Sequence, residues 1–173
     1  MPIKPMFNDT TVKAYAKKKQ EAYEAALVAN IRDCGNDFIR NARTRGNYTD
    51  RTANLRNSIG YVIFKDGQVL ESVYPNDAQP NPLYVAEEGF SGKYPPGVGA
   101  KFGYDLAIEV GENFAPERGF LLVVTAGMEY AAFVEAGASE GRPNKRPYDV
   151  ISGSAVLAEE FIKKAMARLH SKL

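Results

Sequence analysis

The 173 residues are 45% hydrophobic and 25% charged, a composition typical of one globular domain with its own core, and no apolar run approaches the roughly 20 residues that span a bilayer. The net charge of +1 hides an uneven distribution, with 11 Lys and Arg against 6 Asp and Glu in residues 1–60, 4 against 12 in 61–141, and 7 against 3 in 142–173. Basic ends around an acidic middle suit self-association or contact with an acidic partner, although a dipolar surface without special use would look the same.

The first predicted element is a long helix. Residues 1–9 form a proline-containing lead-in that lacks the apolar segment and cleavage site of a signal peptide, so we expect a protein of a reducing, soluble compartment. Near Thr10 a helical pattern begins, with Asp9 or Thr10 as N-cap, and it continues for about 35 residues to Gly46. Such a helix would be on the order of 50 Å long, more than one small domain needs for its core. Gly35 is a point at which it could kink.

A β-hairpin is predicted next. Residues 52–59 indicate a helical turn that leads into a strand. Residues 60–64 and 68–74 are β-prone and flank Asp66-Gly67, and Asp-Gly between two such runs is a strong hairpin signal. The proline-rich residues 75–82 predict a loop.

The acidic middle of the chain gives mixed signals. Residues 83–88 fit either a short helix or a strand. Residues 89–103 contain five glycines and Pro95-Pro96 and predict a long irregular loop. Residues 104–110 alternate between apolar and polar side chains, which predicts a half-buried strand with Asp105 and Glu109 on its solvated face.

The longest apolar run, Phe120 to Val124, predicts a strand buried on both faces at the packing centre of the domain. Met128 to Ala136 predicts a short helix, and residues 137–147 a loop with a basic end. A final helix begins near Ser152 or Ser154, with an apolar stripe that includes Val156, Leu157, Phe161, Ile162, Ala165 and Leu169. The chain therefore predicts a single α+β domain over residues 1–173, with a long N-terminal helix and a C-terminal helix packed on an antiparallel sheet of about four strands.

No residue set carries a catalytic signature, so we predict a non-enzymatic protein with no catalytic residue, cofactor or metal ligand. The only histidine, His170, cannot by itself build a triad or a zinc site. Asp105 and Glu109 on one strand face could hold Mg²⁺ for phosphodiester hydrolysis, but half-solvated strands commonly show the same pattern. Cys34 is the only cysteine, which excludes an internal disulfide, and it lies within a helical pattern as a small core residue.

Basic residues are concentrated in the first helix and the linker after it, where they could contact nucleic-acid phosphates. Acidic residues such as Glu21 and Glu24 interrupt them, and a solvated or protein-facing surface explains the pattern better than a dedicated DNA site. A DNA-binding module that uses the basic N-terminal helix is therefore the alternative function. The basic residues concerned are Lys13, Lys17, Lys18, Lys19, Arg40, Arg43, Arg45, Arg51 and Arg56.

Three segments together resemble a family of tailed-phage proteins. Thr52-Ala53-Asn54-Leu55-Arg56-Asn57-Ser58-Ile59 resembles the family's T-G-x-L-R-x-S-I segment, which follows a long N-terminal helix. Glu129-Tyr130-Ala131-Ala132-Phe133-Val134-Glu135-Ala136-Gly137 resembles its Y-A-x-x-V-E-x-G, and Arg146-Pro147-Tyr148 resembles its R-P-F/Y before the last element. The family is that of the neck, or tail-completion, proteins of the head–tail connector in long-tailed bacteriophages and prophages. Ala53 departs from the family glycine, and the 75–102 loop exceeds the family pattern.

The resemblance implies a structural virion protein, made in the host bacterial cytoplasm and located at the neck or the top of the tail. It implies a homo-oligomeric ring, a hexamer or a dodecamer, that joins head and tail around the DNA channel. The implied partners are other copies, further connector and tail proteins, and DNA without sequence readout, but no membrane. Glu135 would be a structural or inter-subunit hydrogen-bonding carboxylate. The candidate interaction residues are Lys17, Lys18, Lys19, Arg51, Arg56, Tyr130, Glu135 and Arg146.

Overall fold

The computed structural model describes residues 8–46, 48, 51–82, 93–136 and 150–170. The predictions for residues 1–7, 83–92 and 137–149 lie outside this part of the chain. The described elements are, in chain order, α1 (Asp9–Arg45), α2 (Asn54–Asn57), β1 (Ile59–Lys65), β2 (Gln68–Val73), α3 (Gly99–Phe114), β3 (Phe120–Ala126), α4 (Ala131–Glu135) and α5 (Ser152–His170).

The described strands form one antiparallel sheet in the order β2-β1-β3. The α+β class is confirmed, with three strands rather than about four. The central strand is β1, which is buried along six of its seven residues, whereas β3 pairs only with β1 among the described strands. The prediction that Phe120 to Val124 is the central strand is therefore wrong. Its continuous apolar run reflects helices on both faces of the sheet, because Leu122 and Val124 pack in one core cluster and Leu121 and Val123 in the other.

The hairpin and the helical turn before it are confirmed. Asp66 and Gly67 have φ of 51° and 77°, the left-handed pair that a two-residue hairpin requires. The pairing shifts between Ile63 and Phe64, so that Leu70 is the extra residue of a bulge in β2. The turn is fixed to the loop before β3, because the Asp66 amide donates to the Gly119 carbonyl and the Gly119 amide to the Asp66 carboxylate.

The predicted strand at residues 104–110 is wrong, because this segment belongs to the helix α3. Gly99, Gly103, Ala107 and Gly111 recur at every fourth position, are all buried and lie on the side of the helix that packs against α2 and β1. A Cβ on Gly103 would overlap the backbone carbonyl of Ser58, so the missing side chains allow the helix to lie against β1. Of the glycines that suggest a long loop from 89 to 103, Gly99 and Gly103 therefore belong to the contact face of this helix.

The long first helix is confirmed and continues through Gly35 without a break. Gly35 serves packing instead: a Cβ there would stand 2.6 Å from the ring of Tyr61 in β1. The N-cap is Asn8, not Asp9 or Thr10, because its side chain accepts from the Thr10 amide at 3.1 Å. The first buried residue of α1 is Ile31, and every residue from 8 to 22 is exposed.

The helices α1 and α5 lie together on one face of the sheet, and α3 covers the other. The helix α5 begins at Ser152 as predicted and packs against the larger core cluster through Ala155, Ala158 and Ile162. Its predicted stripe is partly wrong, because Val156 and Leu157 are exposed. The result is a layered α/β/α arrangement in which β1 is enclosed from both sides.

Replacing Gly103 with Ala tests the close approach of α3. Alanine ordinarily favours a helix interior by about 1 kcal/mol over glycine. Here we expect a loss of about 1–3 kcal/mol in the free energy of unfolding, because the new methyl group must displace the backbone at Ser58. Denaturant unfolding measures the change. Asn113→Ala on the exposed side of the same helix is the control and should stay within about 0.5 kcal/mol of the native protein. A stabilised Gly103→Ala protein would contradict the described packing.

Candidate interaction surfaces

The N-terminal part of α1, residues 9–22, projects from the fold as an exposed helical arm. At 1.5 Å per residue it is about 20 Å long. Val12 is 51% and Tyr15 is 63% exposed, and these two apolar side chains lie one helical turn apart. Lys17, Lys18 and Lys19 are exposed, as predicted, and Lys19 stands over the Tyr15 ring at 5.7 Å. The arm therefore offers solvent a surface that is both basic and aromatic.

The helix α1 joins the sheet through two ion pairs. Arg32 donates to both carboxylate oxygens of Glu71 in β2, at 2.7–3.1 Å, and Lys65 at the end of β1 contacts Glu24 at 2.8 Å. Burial, with the nearby Glu71 carboxylate, raises the pKa of Tyr61 to about 12, so this phenol stays neutral beside the pair. The contact with Lys65 marks the place where α1 leaves the fold and the arm begins.

The short helix α2 fastens two loops through buried carboxamides. The Asn54 side chain donates to the Pro95 carbonyl at 2.9 Å and accepts from the Gly97 amide at 3.0 Å. Asn57 makes the same pair of bonds with residue Ala78, at 3.1 and 3.0 Å. Each carboxamide thus donates one hydrogen bond to the loop backbone and accepts one from it, as a neighbouring backbone segment would otherwise do. The sequence prediction did not single out these two residues, although their spacing of three on a helical turn was the available signal.

Arg56, predicted as an interaction residue, is partly buried and donates to the Arg43 carbonyl in the last turn of α1. It also stacks on the Tyr48 ring at 5.5 Å. A cation at a helix C-terminus satisfies a carbonyl that has no intrahelical partner. Arg43 in turn contacts Asp77, whose pKa is lowered by this hydrogen bond. The basic residues at this end of α1 therefore hold the fold together, whereas Lys13, Lys17 and Lys19 of the arm contact only Asp9, Glu21 and Tyr15 of the arm itself.

Glu135 caps the last helix from a distance in sequence. Its carboxylate accepts from the backbone amides of Val150, Ile151 and Ser152 at 2.9, 3.0 and 3.2 Å. These amides open α5 and have no partner within the helix. Burial raises the pKa of Glu135, but the hydrogen bonds from Ser152 and the three amides outweigh it and hold the pKa below its ordinary value. The carboxylate is therefore placed as an intramolecular structural group.

The remaining candidates are dispersed. Tyr130 precedes α4 and packs, partly buried, against the larger core cluster. Arg51 is exposed in the linker before α2. Arg146 lies outside the described residues. The structure thus brings Lys17, Lys18 and Lys19 together on the arm and assigns Arg56, Tyr130 and Glu135 to internal contacts.

The C-terminal end of α3 forms an acidic surface. Glu109 and Glu112 on the helix and Glu117 just after it are exposed, together with Phe114, which is 74% exposed. The last turn of the helix carries no basic residue to offset its dipole. None of these three carboxylates forms an ion pair with another described residue, whereas Asp105 one turn earlier is paired with Lys101. We call Glu109, Glu112, Phe114 and Glu117 the acidic end of α3.

No family model, curated protein or solved structure matches this chain. Within the described residues, no group of three or more His, Cys, Asp or Glu side chains could hold a metal ion. The strand on which the magnesium hypothesis for Asp105 and Glu109 depended is a helix. Among the described helices, none combines the length and apolar character that crossing a bilayer requires.

Glu135→Gln tests the cap on α5. We expect a loss of about 1–3 kcal/mol in the free energy of unfolding near neutral pH, because a charged acceptor of several amides becomes a neutral one. The pKa of Glu135 is lower in the folded than in the unfolded protein. Its contribution to the free energy of unfolding is therefore present above the unfolded pKa of about 4.3 and is lost as pH falls through the folded pKa. The two proteins should therefore converge in stability in acid. Urea unfolding at several pH values measures this.

The control for the cap is Glu129→Gln. Glu129 pairs with Lys93 on the surface, with both side chains more than 60% exposed. We expect a change of less than about 1 kcal/mol for this exposed pair. Equal effects of the two substitutions at neutral pH would contradict the capping role of Glu135.

Ala53→Gly tests the backbone conformation of the turn before α2. Ala53 has φ 61°, a left-handed conformation that costs an L-residue about 1–2 kcal/mol. Relief of this strain should offset the lost methyl burial of about 0.8 kcal/mol, so the variant should lie within about 1 kcal/mol of the native protein. The matched control, Ala107→Gly, removes an equally buried methyl from a helix and should lose about 1.5–2 kcal/mol. Equal losses in thermal unfolding would refute the strain.

Proposed function

We propose that this chain is a structural subunit of the head–tail connector of a long-tailed bacteriophage or prophage. In this proposal it assembles as a ring that joins or completes the tail around the DNA channel. The observation that carries the proposal is the exposed helical arm, residues 9–22, which is ordered as a helix although none of its residues is buried. The arm leaves Val12 and Tyr15 more than half exposed, and exposed apolar side chains on an extended helix are suited to packing against a partner.

The segments that resemble the neck proteins support a structural role. The first forms the turn and helix that fasten two loops through Asn54 and Asn57. The second contains Glu135, which caps α5. Residues of both segments therefore stabilise the fold. This suits a protein whose function is to present surfaces to its neighbours.

The charge distribution also supports assembly. The basic arm and the acidic end of α3 are opposite in charge and belong to different elements of one chain. A subunit with two complementary surfaces can make the heterologous contacts from which closed rings are built.

Deletion of the gene from the phage or prophage that carries it tests the proposal. We expect electron microscopy of lysates to show separate heads and tails and a loss of infectious particles. Supplying the native gene in trans should restore joined particles, which controls for effects on neighbouring genes. Normal infectious particles after deletion would rule out the proposed role.

The exposed lysines of the arm favour a second candidate, a DNA-binding module. If it is right, duplex DNA should bind with an affinity that falls steeply between 50 and 200 mM salt, and Lys17→Ala/Lys18→Ala/Lys19→Ala should reduce the salt slope by up to about three counterions. Fluorescence anisotropy at the two salt concentrations measures both quantities. Absence of binding at the lower concentration rejects this candidate and leaves the connector proposal intact.

A further inference from the structure

We infer that the arm of one copy packs across the acidic end of α3 in a neighbouring copy. Lys18 and Lys19, which share one side of the helix with Val12 and Tyr15, would then face Glu109, Glu112 and Glu117, and Val12 and Tyr15 would cover Phe114. This inference deepens the proposed ring function, and rests on it, by naming the two surfaces that meet between copies. It also stands on three observations about this chain.

The first observation is that both surfaces are incomplete within one copy. The arm carries two apolar residues, Val12 and Tyr15, whose side chains are more than half exposed. No residue of the helix from 9 to 22 is buried. The acidic end carries the most exposed of the large hydrophobic residues in the described chain, Phe114, between carboxylates without ionic partners there. Each surface therefore combines a charge with an apolar side chain, and the two charges are opposite.

The second observation is that the arm and the acidic end of α3 both lie at the hairpin end of the sheet. The helix α1 runs antiparallel to β1, since Gly35 meets Tyr61 and Glu24 meets Lys65. The helix α3 runs parallel to β1, since Gly103 meets Ser58 and Gly111 meets Phe64. The N-terminus of α1 and the C-terminus of α3 thus leave the fold at the hairpin end.

The third observation is that the two surfaces lie on opposite faces of the sheet. The helix α1 packs on the core cluster that contains Tyr61 and Ile63, whereas α3 packs on the cluster that contains Val62 and Phe64. A straight arm cannot cross the sheet to reach the acidic end of its own copy. Copies placed side by side with their sheets face to face, and shifted by about 10 Å along the helix axes, bring the arm of one to the acidic end of the next.

The spacing along the helices is compatible with this contact. Lys17 precedes Glu24, which marks the end of the sheet, by seven residues, or about 10 Å at 1.5 Å per residue. Glu112 and Phe114 follow Gly111, at the same end, by one and three residues. The two helices would run antiparallel, so that the positive end of the arm lies beside the negative end of α3. Arg118 is adjacent to Glu117, and its single positive charge leaves the acidic end net negative.

A charge-swap experiment on the full chain tests the contact. One variant carries Lys17→Glu/Lys18→Glu/Lys19→Glu, and the other carries Glu109→Lys/Glu112→Lys/Glu117→Lys. Sedimentation velocity should show that the native chain associates and that each variant alone associates at least tenfold more weakly. An equimolar mixture of the two should recover association, because each arm then meets an end of opposite charge. Recovery also demonstrates that both variants are folded.

The matched control is Lys163→Glu/Lys164→Glu, which reverses two exposed lysines on α5 and should leave association unchanged. The inference is overturned if the native chain stays monomeric at millimolar concentration, if the arm variant associates like the native chain, or if the mixture does not recover. It is also overturned if the arm variant loses only duplex-DNA binding, since the arm would then be a nucleic-acid surface.

The outcome is separable from that of the proposed function. If gene deletion leaves heads and tails unjoined but the charge swap does not restore association, the connector role stands and this contact is wrong. If the charge swap succeeds but deletion has no effect on particles, the contact stands and the connector role is wrong.

Discussion

The enclosure of β1 between two helices is the constraint on which the rest of the structure depends. On one side the ring of Tyr61 lies against Gly35 of α1, and on the other the carbonyl of Ser58 and the ring of Phe64 lie against Gly103 and Gly111 of α3. At each of these positions a Cβ would collide with the strand, so the glycines fix how closely and at what level each helix lies. Because the levels are fixed, the N-terminus of α1 and the C-terminus of α3 leave the fold at the same end of the sheet.

Polar groups then hold the irregular parts of the chain to this framework. Asn54 and Asn57 replace backbone partners for two loops, Arg56 satisfies a carbonyl in the last turn of α1, and Glu135 receives the amides that open α5. Buried or partly buried groups of this kind are costly to leave without partners, so each fixes one connection rather than serving chemistry. The arm and the acidic end of α3 are exposed surfaces that this framework does not use.

Much of the fold was predictable from local patterns. The periodicity of α1, the Asp66-Gly67 turn and the helical pattern of α5 are local signals, and each corresponds to an element of the structure. The segment 104–110 was misinterpreted because alternation over seven residues fits a strand as well as the exposed side of a helix, and the deciding glycines lie partly outside that window. The site was predicted unevenly for the same reason. Exposure of Lys17 to Lys19 follows from helical spacing, whereas the roles of Arg56 and Glu135 depend on groups distant in sequence.

The sequence by itself determined the class of fold, the length of α1 beyond the needs of a core, and the separation of basic and acidic segments along the chain. These properties depend on the spacing and composition of residues along the chain, which the sequence gives directly. Only the tertiary structure decided that β1 rather than β3 is central, that Glu135 caps α5, and that the arm and the acidic end leave the fold at the same end on opposite faces. Those facts depend on which residues meet across the sheet, and such meetings are set by close packing between segments far apart in the chain.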